Sequence, residues 1–254
     1  MDLGIAGRVA LVTGASRGIG FACAKALAAE GCAVAVVSRS PKGIERAAED
    51  LRAAGARAVG LPGDVADPLA PQQLVASVED ALGPVDILVA NAGGPPQGGF
   101  MDVGSEDWER AVQQNLLGTV RLIGATLSSM RERGFGRIVT ITSATAREAI
   151  DGLVLSNAVR AGVAGVVRSI AREVGREGVR ANNVMPGPID TERLREVYGN
   201  DDAAIAARAE RNPSGRLGRP DEVGELVAFL SSERAAFVNG ASILIDGGES
   251  RAIA

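Results

Sequence analysis

The residues best equipped for chemistry begin at Thr13. The run Thr13-Gly14-Ala15-Ser16-Arg17-Gly18-Ile19-Gly20 spaces its glycines as G-x-x-x-G-x-G, directly after an apolar stretch and before a helical pattern. Glycines let a backbone approach a pyrophosphate, and a helix starting there turns free N–H groups and the positive end of its dipole toward the anion. A tight turn without a ligand uses the same glycines; the strand before and the helix after favour dinucleotide binding. Nearby charge bears on which dinucleotide. A carboxylate ending the second strand would bond a ribose 2′-hydroxyl, but that position is Ser38, followed by Arg39, with Arg17 in the turn. Two guanidinium groups and no acid suit a 2′-phosphate, so NADP(H) is expected rather than NAD(H). Taken singly, each arginine has the plainer account of a solvated surface residue.

Other chemistry is excluded by absence. The chain has no His and one Tyr, Tyr198. That removes imidazole catalysis and leaves no ordinary catalytic zinc set, so no metal is expected. Cys23 and Cys32 read as reduced core thiols. Net charge is −4 with Lys and Arg dispersed, which gives no basic face for nucleic acid.

These groups need a frame to hold them. Short Val- and Ile-rich runs at 8–13, 33–38, 57–61, 85–90, 137–142, 179–185 and 241–246 are nearly continuous in apolar residues, as in strands covered on both faces. Helical patterns lie between them at 18–30, 42–54, 69–82, 105–132, 153–176 and 221–231. Such alternation means crossover connections. The expected fold is therefore a single-domain α/β Rossmann-type doubly wound sheet of about seven parallel strands with helices on both faces, spanning 1–254. The irregular, charged, Gly- and Pro-containing stretch 187–219 reads as a substrate-side lid. With 3% aromatic residues, the core must be built from Ala, Val, Leu and Ile. The start MDLGIAGRVALVTGA lacks the charged and then apolar regions of a signal peptide, and no apolar run approaches membrane-spanning length. A cytoplasmic protein without a membrane partner is the expectation.

The residues resemble the short-chain dehydrogenase/reductase family, in its 3-oxoacyl-ACP-reductase-like branch. TGASRGIG is similar to that family's cofactor turn, and Asn91-Ala92-Gly93 to its motif after the fourth strand. Asp64-Val65 resembles its adenine-contact pair. Asn115 and Ser143 stand where the family carries its structural and catalytic Asn and its catalytic Ser. Pro186-Gly187, Ile189 and Thr191 match the segment that holds the nicotinamide carboxamide. GRLGRPDEV at 215–223, Asn239-Gly240 and Ile245-Asp246-Gly247-Gly248 extend the likeness to the tail. The resemblance covers the whole chain. It implies hydride transfer between a nicotinamide and a small carbonyl or alcohol.

The pattern breaks at the proton-handling pair. The family shows Tyr thirteen residues after its Ser and Lys four further on; here those positions are Ser156 and Arg160. They remain one helical turn apart on one face. Arg160 keeps charge and donors for the nicotinamide ribose, but a guanidinium is no proton shuttle. Ser156 is a far weaker acid than a phenol, although it can hold a water. Losing a positioned general acid costs about 10²–10⁴ in rate. Glu148 and Asp151 are substitute acids, or else carboxylates favoured by a helix start. Tyr198 on the lid is a third candidate, and Arg193 and Arg195 there would meet an anionic substrate or simply be solvated. Three functions stay open: an NADP(H)-dependent oxidoreductase with a rewired proton donor, a non-redox lyase, isomerase or cyclase, and an inactive dinucleotide-binding partner protein. A homotetramer is expected, with the 105–132 and 153–176 helices forming one interface. Ala161, Gly162, Ala164 and Gly165 would allow close packing there. By family resemblance, the last strand and Asp246-Gly247-Gly248 join the other.

Overall fold

The structure, a computed structural model, describes residues 1–252. Seven parallel strands form one sheet: β1 (Val9–Thr13), β2 (Ala33–Ser38), β3 (Ala58–Pro62), β4 (Ile87–Asn91), β5 (Gly136–Ile141), β6 (Val179–Pro186) and β7 (Ser242–Ile245). They lie in the order β3-β2-β1-β4-β5-β6-β7. Each apolar run therefore is a strand, and the all-parallel pairing follows from helical crossovers. The helices are α1 (Gly18–Ala29), α2 (Pro41–Ala53), α3 (Ala70–Leu82), α4 (Ser105–Ala111), α5 (Gly118–Glu132), α6 (Val154–Val174), α7 (Glu192–Val197), α8 (Asp202–Glu210) and α9 (Pro220–Leu230).

The side-chain period of two splits each strand between two cores. Ala10 and Val12 of β1, with Val34 and Val36 of β2, pack with Leu27, Ile44 and Val227 from α1, α2 and α9. Val9, Leu11, Ala33, Ala35 and Val37 face the other way, onto Val78, Leu122 and Val167 from α3, α5 and α6. Leu11 is fully buried, so truncation to Ala would cost about 2–5 kcal/mol. Cys23 and Cys32 are free and buried, and burial pushes both thiols up to about 12. That keeps them unreactive.

Three features differ from expectation. The 105–132 pattern is not one α-helix: a π-helical turn, Val112–Leu117, separates α4 from α5. A side chain on Gly118 would press within 2.7 Å of the Val65 carbonyl, so only glycine lets the helix lie this close to the sheet edge. The lid stretch contains two short helices. Thr191 and Asp201 start them by accepting from Leu194 N and from Ala203 N and Ala204 N. Third, the helical run Val154–Glu177 has a mean hydropathy of 1.2 and is long and apolar enough to cross a membrane by length and composition. The expectation to the contrary sought an unbroken apolar run, and Arg160, Arg168 and Arg172 interrupt this one. Its stripe of Leu155, Val159, Val163, Val167, Ala171 and Val174 is buried. Much of that stripe packs into the sheet's core, the arrangement of a core helix.

Candidate active site

The strand order reverses between β1 and β4, and parallel sheets open a crevice at the carboxyl ends of such strands. Here that crevice is a cleft of about 940 Å³. One wall is the glycine turn. Thr13 Oγ1 donates to Asn91 O at 2.8 Å and accepts from Asn91 N at 3.1 Å. Asn91 Nδ2 donates to Thr13 O and Gly14 O at 3.2 and 3.1 Å. The Asn91 amide is thus spent on bolting β4 to the turn. Gly14 has a φ of +60°, and a Cβ on Gly20 would stand 2.3 Å from Gly14 O, so no larger residue closes this turn.

The cleft gathers most of the anticipated residues. Gly14, Ser16, Arg17, Gly18, Ile19, Gly20, Ser38, Arg39, Asp64, Val65, Asn91, Ala92, Gly93, Ser143, Ser156, Arg160, Pro186, Gly187 and Thr191 all line it. Two do not. Ile189 is buried and lines a smaller cavity with Asn212 and Asp246, while its backbone bridges to Gly218. Asn115 sits on the π-turn, 1% exposed, and neither its Nδ2 nor its Oδ1 has a partner among the described residues. Buried amides are nearly always hydrogen-bonded, so this pair of orphaned atoms calls for a water.

At the β5 end, three hydroxyls cluster. Ser143 Oγ accepts from Thr145 N at 3.3 Å, and Thr145 Oγ1 lies 2.9 Å from Ser156 Oγ. One turn along α6, Arg160 is 6% exposed. Its Nη1 donates to Ile141 O at 3.1 Å and its Nη2 to Ala92 O at 3.2 Å, while Nε has no partner among the described residues. The guanidinium therefore joins the ends of β4 and β5. Burial lowers its pKa to about 10, which still leaves it a cation at neutral pH, and among the described residues no carboxylate pairs with it.

The structure corrects the search for a substitute acid. Glu148 accepts from Ser250 Oγ at 2.7 Å and from Arg251 N at 3.1 Å. The Ser250 hydrogen bond above all holds its carboxyl below the usual range, so it is ionised at neutral pH and donates no proton. Glu148, Asp151 and Tyr198 do not line the cleft, whereas Arg193 does. Arg195 is turned to Asp190 in a bidentate pair at 2.9 and 3.0 Å. Residues missed from the sequence include Thr145, Gln114, whose Nε2 donates to Gly93 O at 2.9 Å, and the lid carboxylates Glu192 and Glu196. Nothing in their spacing marks them.

Known proteins are similar to this chain in sequence and in fold. Residues 14–250 match the model of the family described as Enoyl-(Acyl carrier protein) reductase. The chain is 37% identical over 242 residues to 3-oxoacyl-[acyl-carrier-protein] reductase FabG of Escherichia coli, covering 95% of this chain and 97% of that protein. This chain is a short-chain dehydrogenase/reductase. It is also 37% identical over 248 residues to L-rhamnose 1-dehydrogenase (NAD(P)(+)) of a Sphingomonas species, covering 95% of this chain and 96% of the other. The structure of L-sorbose reductase from Gluconobacter frateurii complexed with NADPH and L-sorbose superposes with a TM-score of 0.94 at 32% identity, over 100% of both chains. Actinorhodin polyketide ketoreductase with NADPH gives 0.93 at 36% identity, over 96% and 98%. The doubly wound fold is thus that of the family, and this family member is an enzyme.

Proposed function

We propose that this enzyme is an NADP(H)-dependent oxidoreductase that interconverts a small carbonyl compound and its alcohol, with water-linked hydroxyls in place of a phenol. The observation that carries the reading is one continuous cleft. It runs from Ser38 and Arg39, past the glycine turn, to Ser143, Ser156 and Arg160. A dinucleotide fits that path: the α1 N-terminus and the turn face the pyrophosphate, Arg39 and Arg17 face a 2′-phosphate, Asp64-Val65 the adenine, and Pro186-Gly187 with Thr191 the carboxamide. Bound NADPH supplies the hydride.

The chain's own residues then handle the oxygen. Ser143 accepts from Thr145 N, which leaves its own hydroxyl hydrogen free for the substrate oxygen. Arg160 sets a fixed positive charge beside it, which stabilises developing negative charge in a water-poor site. Its remaining N–H donors would serve the nicotinamide ribose. Among the described residues no phenol, thiol, imidazole or amine lines the cleft, and Glu192 and Glu196 are paired with Arg17, so in this reading the proton is relayed from bulk solvent to the oxygen through a water held at Ser156. The orphaned Asn115 amide marks where a second water would sit.

The same lack of a phenol or imidazole at the cleft favours a second reading, a non-redox lyase, isomerase or cyclase, or an inactive dinucleotide-binding partner protein. NADPH oxidation followed by the absorbance of the reduced nicotinamide across a panel of small ketones and aldehydes separates them. Turnover supports the oxidoreductase. Tight NADPH binding without turnover of any carbonyl points to the second reading.

A further inference from the structure

Arg17 stands in the glycine turn, where the proposed function assigns its guanidinium to the 2′-phosphate. In the structure that guanidinium is already engaged. Its Nη1 donates to Glu192 Oε2, and its Nη2 donates to Glu196 Oε1 at 3.1 Å. Both carboxylates rise from α7, one helical turn apart, and so share the face turned to the glycines. Contact reinforces charge. The Thr191 Cγ2 that precedes them lies 3.6 Å from where a Cβ on Gly18 would sit. Among the described residues neither Glu192 nor Glu196 pairs with any other cation, and Arg39 pairs with no carboxylate. Both glutamates line the cleft itself.

We propose that Glu192 and Glu196 are specificity-determining residues, which compete with the cofactor's 2′-phosphate for Arg17 and so narrow the preference for NADP(H) over NAD(H). The inference rests on the reading of Ser38, Arg17 and Arg39 as the 2′-phosphate site. A phosphate and a carboxylate ask for the same guanidinium donors in the same fork geometry. NADP(H) that engages Arg17 displaces two carboxylates and leaves them unpaired near a further anion. NAD(H) carries no 2′-phosphate to claim Arg17 and leaves the latch closed. Selectivity is a difference between two affinities, and this arrangement penalises only one of them. It also couples the lid to the choice of cofactor, because a 2′-phosphate that takes Arg17 frees α7 from the turn.

These side chains are about half exposed, with 54% for Arg17, 64% for Glu192 and 44% for Glu196. Exposed pairs are weak, so the expected effect is a change of about 3- to 10-fold in affinity. Calorimetric titration of NADP⁺ and NAD⁺ into the full chain tests it, using wild type, Glu192→Gln/Glu196→Gln, Arg17→Gln and the triple variant. The double variant is expected to bind NADP⁺ about 3- to 10-fold more tightly, with NAD⁺ changed less than about twofold. In the Arg17→Gln background the gain should vanish. An unchanged NADP⁺ affinity, an equal gain for both cofactors, or a gain that persists without Arg17 overturns the proposal. Wild type binding NAD⁺ more tightly than NADP⁺ overturns the 2′-phosphate reading instead; an Arg17-dependent gain for NADP⁺ in the double variant would still uphold the competition.

Discussion

Thr145 Oγ1 and Ser156 Oγ lie 2.9 Å apart, and the Thr145 amide reaches Ser143 Oγ at 3.3 Å, so one residue positions both cleft hydroxyls. Thr145 itself is 3% exposed and absent from the cleft lining. It is a positioning residue that acts through its neighbours.

Replacing it tests whether Ser156 is held for a purpose. Thr145→Val keeps the shape and removes the hydroxyl. Losing one hydrogen bond of about 0.5–1.5 kcal/mol predicts a roughly 2- to 12-fold fall in kcat. NADPH affinity should stay within about twofold, because the cofactor does not touch Thr145 in this reading. Thr145→Ser should restore the rate. A loss shared equally by Ser and Val would mark packing as the cause.

Arg39 sits at the end of β2 with no carboxylate partner among the described residues. Arg39→Asp places an anion where the 2′-phosphate would lie and an acceptor where a 2′-hydroxyl would lie. NADP⁺ affinity should fall by about tenfold or more, and NAD⁺ affinity should rise. Titration with both cofactors reads the outcome, and an unchanged ratio would remove Arg39 from the cofactor site.

The Ser156 and Arg160 pair invites the reverse experiment. Ser156→Tyr with Arg160→Lys installs a phenol and an amine at the same two positions on α6. A positioned general acid is worth about 10²–10⁴ in rate, and generic ketone reduction should rise within that range if the phenol fits. Either single change should give much less. Equal rates in the double variant and wild type would show that proton supply does not limit turnover.

Glu222 closes the lid's far end. It accepts from Arg216 at 2.7 and 2.9 Å and from Arg219 N at 2.7 Å. The Arg216 hydrogen bond, then that of Arg219 N, lowers its pKa from 4.5 to about 2. A depressed carboxylate stabilises the fold fully above its unfolded value and loses that contribution as pH falls through the folded one. Glu222→Gln should therefore unfold at lower urea than wild type at pH 6. The gap in midpoints should narrow as pH falls from about 4.5 toward 2. A gap that is constant with pH would exclude the ionised pair as its source.

Much of the frame was readable because its signals are local. Seven apolar runs became seven strands, and the glycine turn stood at the end of β1 where its ligand chemistry requires it. What escaped depends on the third dimension. The π-turn hides inside a helical pattern, since one extra residue per turn barely disturbs the apolar spacing over 105–132. The lid helices α7 and α8 are too short for periodicity to reveal. Arg160 is expected at the cofactor from its spacing, and it lines the cleft. Its bonds to Ile141 O and Ala92 O depend on how β4 and β5 end, which no spacing encodes. For Glu148 the sequence leaves a substitute acid and a helix-start carboxylate both open, and the partners that decide its role, Ser250 and Arg251, lie about a hundred positions away.

Assembly is the last prediction, and its argument lies on α6. The inward stripe of that helix is buried, but Ala161 and Gly165 are exposed, and a Cβ on Gly165 would meet nothing within 4 Å. Val166 and Ile170 beside them are only partly buried. Val120 on α5 is exposed as well, so two neighbouring helices present small and apolar residues outward. The second face is β7, the sheet edge, where Ile243, Leu244 and Ile245 are half-buried and Phe229 and Phe237 nearby in sequence are exposed. Unpaired strand edges and apolar helix faces are both surfaces that proteins cover. Two such faces on one chain, each pairing with itself about a two-fold axis, give a closed homotetramer. Light scattering on a sizing column should show four chain masses at micromolar concentration. Gly165→Glu puts a charge at the centre of the helix interface and should yield a dimer that keeps the β7 contact. A wild-type monomer, or a tetramer indifferent to Gly165→Glu, would refute the α5–α6 interface.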